Sequence, residues 1–441
     1  MSVAHERQLG ARRRELLSRL FTDPSFSAVE AMKEMTFLTE EYVEGSFESK
    51  EQACVWLGGS LGRREMLPNS DLDLFLIHPD GEGHTVPPSI RGFDRVEVGR
   101  LSVQALSELA SRSLIDVNQF VDGRPLSWTP TATAVASILH KENTYDRQHA
   151  NLITEYFYFR HFDFPNKRTP HGANIKYSSG SARMTLFFNF LYRIVSGEQP
   201  ATRSLGPEFL DGVAAFEDLF DTPGPYRELD MIQVVKNAAI FAFDATADVR
   251  QRYISRSSLE RIYELCETRF RGLGMRDSDS FLHSYVAARV RVETAVDILI
   301  EETMSNHRSM RLLRAIADAP AHSVSGACRD AVGYAPQDAS TILAFGAWHV
   351  VTREGVAQAD VTALSRFLLS RPVSETGGAL MAIACSPSAS HSVLENVISH
   401  VLETRAGSYA LKLITRNTHT SSDVRARALA AYTEMEFVQD F

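Results

Sequence analysis

Between Leu57 and His78 the chain reads LGGSLGRREMLPNSDLDLFLIH, and the DLDLFLI run within it is what most restricts the fold. On a strand, residues i and i+2 share a face, so Asp71 and Asp73 point one way while Leu72, Leu74 and Leu76 point into a core. Two carboxylates side by side repel, and each raises the other's pKa unless a cation sits between them. A hard divalent ion such as Mg2+, which takes oxygen ligands and keeps places for substrate phosphates, is the natural remedy. Upstream stands the small-residue turn Gly58-Gly59-Ser60. Its backbone N–H groups around Gly59 and Ser60, at the start of a short helix LGRREML, suit a phosphate, and Ser60 adds a hydroxyl donor. A phosphate cradle leading into a two-carboxylate clamp is machinery for nucleotidyl transfer.

The surrounding pattern implies an α+β fold with most of the chain helical. Residues 1–48 predict two helices, one to about Phe21 and one over SAVEAMKEMTFLTEEYVEG, broken at Asp23-Pro24. Residues 49–130 carry short apolar runs cut by Gly and Pro: ACVWLGG, DLDLFLIH and FDRVEVG, with a turn-rich loop HPDGEGHTVPPSIRG and then the helical LSVQALSELASRSL. This is the small mixed-sheet core. Residues 131–305 predict a helical domain packing on that core, including TAVASILHKENTYDRQHANLITEYFYFRHF, ARMTLFFNFLYRIV, MIQVVKNAAIFAFDAT and LERIYELCETRF. Residues 306–441 hold shorter helices rich in Ala, Ser and Thr. Their spacing hints at the helix pairs of an α-solenoid, yet no fixed period is visible, so a compact helical domain is the expectation.

Composition narrows the partners. A length of 441 residues allows two or three domains with sizeable cores. The net charge of −9 argues against bulk binding of nucleic acid, although a local basic groove can coexist with an acidic total. No window approaches the ~18 uninterrupted apolar residues of a membrane span. The basic, amphipathic HERQLGARRRELLSRLF lacks the apolar stretch of a secretory signal, and Glu6 and Glu15 speak against a transit peptide. The four cysteines lie far apart without a CxxC pair, which suits reduced thiols in a cytoplasmic protein.

The GS-then-DxD spacing resembles the nucleotidyltransferases of the DNA polymerase β superfamily. The fuller string is similar to one branch, the uridylyltransferases that modify the PII nitrogen-signalling protein and their adenylyltransferase relatives, which write it G-G-x-G-R-x-E-L-x-P-x-S-D-x-D-L. Gly58, Gly59, Gly62, Arg63, Glu65, Pro68, Ser70, Asp71, Asp73 and Leu74 match. Downstream, Glu97-Val98-Gly99, Asp122 and Arg124 match a second family segment, with Arg100 where the family has His. NIKYSSGSARMTLFFNFLYRI is similar to a third: Lys176, Gly180 and Arg183 match, while Ser181 and Met184 depart from it. DSDSFLHSYVAARVRVETAVDIL echoes a further family helix. Full-length members add an HD phosphohydrolase and small-ligand sensing domains; no His-Asp doublet occurs among the fourteen histidines here.

The resemblance implies transfer of an NMP from an NTP (UTP or ATP) to a hydroxyl acceptor on a protein, with release of pyrophosphate. Asp71 and Asp73 are the expected Mg2+ (or Mn2+) ligands. The superfamily uses a third carboxylate from a neighbouring strand, and Asp94 and Glu97 compete for it. A spacing of three puts them on opposite faces of a regular strand, and Val96 and Val98 beside Glu97 favour Glu97 for the cleft. Gly59 and Ser60 are the expected phosphate contacts. Arg63 would hold the leaving pyrophosphate or order Glu65, and Lys176 and Arg183 would reach the triphosphate from the helical domain. The helices beyond about Asn306 would bind a partner or close a homo-oligomer. Two other classes share this core: a transferase acting on a small molecule or an RNA end, and a non-catalytic nucleotide-binding regulator.

Overall fold

The computed structural model describes residues 3–47, 54–79, 93, 96–112, 120, 121, 123–142, 145–161, 191, 216, 220, 224–243, 255–404 and 407–439. In chain order these form α1 (Val3–Thr22), α2 (Ala28–Ser46), β1 (Cys54–Leu57), the single-turn α3 (Gly59–Gly62), β2 (Leu72–His78), β3 (Val96–Ser102), α4 (Val103–Arg112) and β4 (Arg124–Pro125). Then follow α5 (Pro130–Glu142), α6 (Tyr145–His161), α7 (Tyr226–Phe243), α8 (Arg256–Leu265), α9 (Glu267–Gly272) and α10 (Ser278–Asn306). The last helices are α11 (Met310–Asp318), α12 (Val324–Tyr334), α13 (Ala339–Val351), α14 (Gln358–Leu369), α15 (Val373–Cys385), α16 (His391–Thr404), α17 (Ser408–Arg416) and α18 (Ser422–Gln439). The fold is α+β: one small mixed sheet, then a large helical region. ARMTLFFNFLYRIV lies outside the described residues except for Leu191, and so does nearly all of the turn-rich loop before β3.

Contacts divide the chain into two compact units. The first comprises Met1–Leu101, Asp122–Ala132 and Asp163–Thr303; the second comprises Ser102–Val121, Thr133–Phe162 and Met304–Phe441.

In the first unit the break at Asp23-Pro24 separates α1 from α2 as expected. Ser27 and Glu30 form a reciprocal capping box that satisfies two amide donors at the α2 start. Arg12 and Arg19 of α1 both reach the Glu34 carboxylate on α2, at 3.2 and 3.1 Å. The sheet order is β3-β2-β1-β4, and β1 runs antiparallel to β2 and to β4. Leu57, Leu72, Leu74 and Leu76 are each 0% exposed, so the alternation read from DLDLFLI is the one the strand adopts. β4 is only two residues long, and its Pro125 lies on an outer strand of the described sheet, where a missing N–H is tolerated.

In the second unit α11 to α18 alternate between two rows. α13 packs on α11 and α15, and α15 on α17; in the other row α14 packs on α12 and α16, and α16 on α18. Contacts between every second helix within this compact unit are the kind made by the stacked helix pairs of a solenoid. The first row begins at Met310, Ala339, Val373 and Ser408, and the uneven spacing explains why no period shows in the sequence. α13 is buried nearly all round, from Ala339 to Val351, because α6 also packs on it. Asp146 of α6 fixes that contact. Its carboxylate accepts the Ser340 and Thr341 amides, both at 3.1 Å, and so caps α13 from a distant segment. Burial, the largest influence, pushes the Asp146 pKa up against these hydrogen bonds.

Candidate active site

The motif segment is a tight connection between β1 and β2 with its polar residues gathered on one side. β1 and β2 pair Leu57 with Leu74 and Trp56 with Phe75, and the Gly58 amide donates to the Asp73 carbonyl at 3.0 Å. Gly59 follows with φ +52, a conformation that glycine adopts without steric cost. A Cβ at Gly59 would lie 2.0 Å from Asp73 Oδ2, so the carboxylate rests directly on the bare backbone of the turn. The structure therefore brings Gly59 and Asp73, fourteen residues apart in sequence, into contact. Ser60 is half-buried in the next position.

The short helix differs from the expected LGRREML. It spans Gly59–Gly62 and closes at Arg63. The Glu65 amide donates to the Ser60 carbonyl at 2.8 Å and the Arg64 amide to the Leu61 carbonyl at 3.1 Å, with Arg64 at φ +58. That pair of bonds around a left-handed residue is a Schellman ending, and it stops the helix before the arginines. Arg63 Nε donates to Glu65 Oε2 at 2.9 Å, and both side chains are mostly buried. Of the two roles considered for Arg63, this geometry supplies the ordering of Glu65.

Anchors from three helices position the connection that delivers Asp71. Arg13 Nε of α1 donates to the Pro68 carbonyl at 2.8 Å, and the Met66 amide donates to Thr36 Oγ1 of α2 at 3.3 Å. Asn69 Nδ2 donates to the Asn237 carbonyl of α7 at 3.2 Å. The Leu67 amide donates to Ser70 Oγ at 3.0 Å, which closes the turn just before Asp71. Asp71 sits half-buried immediately before β2, and Asp73 half-buried within it.

Glu97 lies on β3, the strand next to β2. A Cβ on Gly99 would meet the Phe75 ring at 2.7 Å, so Gly99 faces Phe75. By strand alternation Glu97 shares the Gly99 face and Asp73 the Phe75 face, which puts both carboxylates on one side of the sheet. Glu97 is exposed, however, and among the described residues no group of three His, Cys, Asp or Glu is placed to hold a metal ion. Asp71 and Asp73 still fit a hard divalent ion of the Mg2+ type, which takes one or two protein carboxylates and completes its shell with phosphate and water. They do not form a closed protein cage with Glu97. Asp94, Lys176 and Arg183 lie outside the described residues.

Arg124 is a neighbour whose place beside the turn is not evident from spacing. A Cβ on Gly62 would meet the Gly123 backbone at 2.9 Å, which brings the start of β4 against the end of α3. The Arg124 guanidinium is ion-paired with Glu40 of α2. Burial lowers its pKa, Glu40 opposes that, and the nearby positive charge of Arg64 lowers it further. The one sequence signal for Arg124 is its match in the second resembling segment.

Residues 23–103 match the family model described as Putative nucleotidyltransferase DUF294. The matched span takes in α2, the Gly59 turn and the strands that carry Asp73 and Glu97. It supports a nucleotidyltransferase-like domain at this place in the chain, without pointing to the PII-modifying branch. No curated protein matches the sequence.

No helix among the described residues is long and apolar enough to cross a membrane. All four cysteines are free. Burial pushes the Cys54, Cys266 and Cys328 thiols up to about 12, the environment of thiols packed in a core.

Proposed function

We propose that this chain is a metal-dependent nucleotidyltransferase that moves an NMP from ATP or UTP to a hydroxyl on a protein acceptor. The observation that carries the reading is the contact of the Asp73 carboxylate with the Gly59 turn, within the segment matched by the nucleotidyltransferase family model. Asp71 and Asp73 would hold Mg2+, which when bound supplies positive charge to the phosphates and to the attacking oxygen. The amides around Gly59 and the Ser60 hydroxyl would donate to phosphate oxygens and orient the chain of phosphates. Glu97, on the same sheet face, would serve as the third carboxylate. The acceptor hydroxyl oxygen bonds to the α-phosphorus and its proton passes to solvent, while the bond to the α,β-bridging oxygen breaks and its electron pair leaves on pyrophosphate.

The resemblance to PII-modifying uridylyltransferases favours a protein acceptor, and the solenoid of the second unit offers the kind of extended surface that binds one. Separate free thiols, three of them buried, suit a cytoplasmic setting. The test is incubation of the protein with labelled ATP, UTP, GTP and CTP in host lysate with Mg2+. A labelled protein with one preferred nucleotide supports the reading. Label on RNA or on a small molecule would move the acceptor to another class, and no incorporation from any nucleotide would overturn transfer itself.

A further inference from the structure

Arg64 occupies the position of the α3 ending that glycine fills most cheaply. Its φ of +58 is set by the two closing hydrogen bonds, Glu65 amide to Ser60 carbonyl and Arg64 amide to Leu61 carbonyl. A side chain in this left-handed conformation crowds the following carbonyl, and among the described non-glycine residues Arg64 alone adopts a positive φ. The side chain does not recover that cost through the fold. Arg64 is exposed, and no hydrogen bond or ion pair of its guanidinium is seen among the described residues. The two flanking charges, by contrast, are committed: Arg63 to Glu65, and Arg124 to Glu40. A guanidinium held in a left-handed backbone, exposed and without a partner among the described residues, is free to take an anion.

The anion follows from position. α3 is a single helical turn, about 5.4 Å of rise, and its other end is Gly59 with the Asp73 carboxylate against it. A polyphosphate starting at that turn is within reach of a side chain as long as arginine. We propose that Arg64 binds the polyphosphate of the nucleotide, and that the chain keeps arginine at a glycine position for this purpose. The proposal rests on the nucleotidyltransferase reading and adds to it a binding residue that neither the motif spacing nor the family match assigns.

The test sets stability against binding. Arg64→Gly relieves the backbone and should raise the melting temperature by about 1–3 °C, while weakening ATP or UTP binding about tenfold through loss of a charged phosphate contact. Arg64→Asn, neutral but tolerant of the same backbone, should weaken binding equally. Arg64→Lys keeps the charge and should stay within about threefold of the parent. Binding is read by equilibrium dialysis with labelled ATP and with labelled UTP, each with Mg2+, so the acceptor need not be known. If the parent binds nucleotide and Arg64→Gly binds equally well, the role of Arg64 is overturned and the transferase reading stands. If the parent binds neither nucleotide, both fall together.

Discussion

Replacing Gly59 by alanine probes the contact on which the site is built. The new Cβ would sit 2.0 Å from Asp73 Oδ2, whereas carbon and oxygen approach no closer than about 3.3 Å even in favourable C–H···O contacts. The carboxylate must therefore retreat by more than about 1 Å, or the turn must open. A displacement of that size in a catalytic group costs about a hundredfold in rate. The backbone adds a separate penalty, because φ +52 costs a residue with a Cβ about 1–2 kcal/mol. Gly59→Ala should thus lose about 1–2 kcal/mol of stability in urea titration and at least about a hundredfold in transfer of labelled nucleotide. Gly59→Asn separates the two effects: asparagine tolerates the left-handed backbone but carries the same Cβ. It should lose as much activity with a smaller loss of stability. Retention of more than half the parent's transfer by Gly59→Ala, with an unchanged urea midpoint, would refute the placement of Asp73 against the turn.

Two further outcomes follow from the same structure. Glu97→Gln should reduce transfer far more than Asp94→Asn, because Glu97 shares the sheet face of Asp73; the reverse ranking would move the third carboxylate to Asp94. His149 is 1% exposed, and burial pulls its pKa down to about 4. The unfolded chain then binds the proton more tightly, so the contribution of His149 is complete above about pH 6.5 and is lost as pH falls toward 4, up to about 3 kcal/mol in all. Urea midpoints measured between pH 7 and 4 should show this decline, and His149→Gln should flatten it; an unchanged slope would place the acid sensitivity elsewhere.

The strand that follows Asp71 and bears Asp73 was legible because alternation is a local property: Leu72, Leu74 and Leu76 share one face and needed only a core. The break at Asp23-Pro24 was legible for the same reason, whereas the capping box at Ser27 and Glu30 that starts α2 was found in the structure. The single-turn α3 was not, since its end is set by the backbone bonds around Arg64 rather than by apolar periodicity. β4 has two residues and no pattern to detect; it exists because β1 offers it an edge. In the second unit the helices could be read one by one. Their stacking could not, because the spacing between successive pairs drifts and because α6 joins them through Asp146, far away in the chain. The Gly59–Asp73 contact lies between these cases: both residues stand out in sequence, but only the β1–β2 pairing brings them together.

The most direct test of the central claim is Mg2+-dependent transfer by Asp71→Asn and Asp73→Asn, measured beside the melting temperature of each variant. Neither asparagine changes the size of the side chain, and neither aspartate belongs to the leucine core, so both variants should melt like the parent. Transfer of label from ATP or UTP should be abolished in both, with Mn2+ as well as with Mg2+. Full transfer by either variant at an unchanged melting temperature would contradict the account.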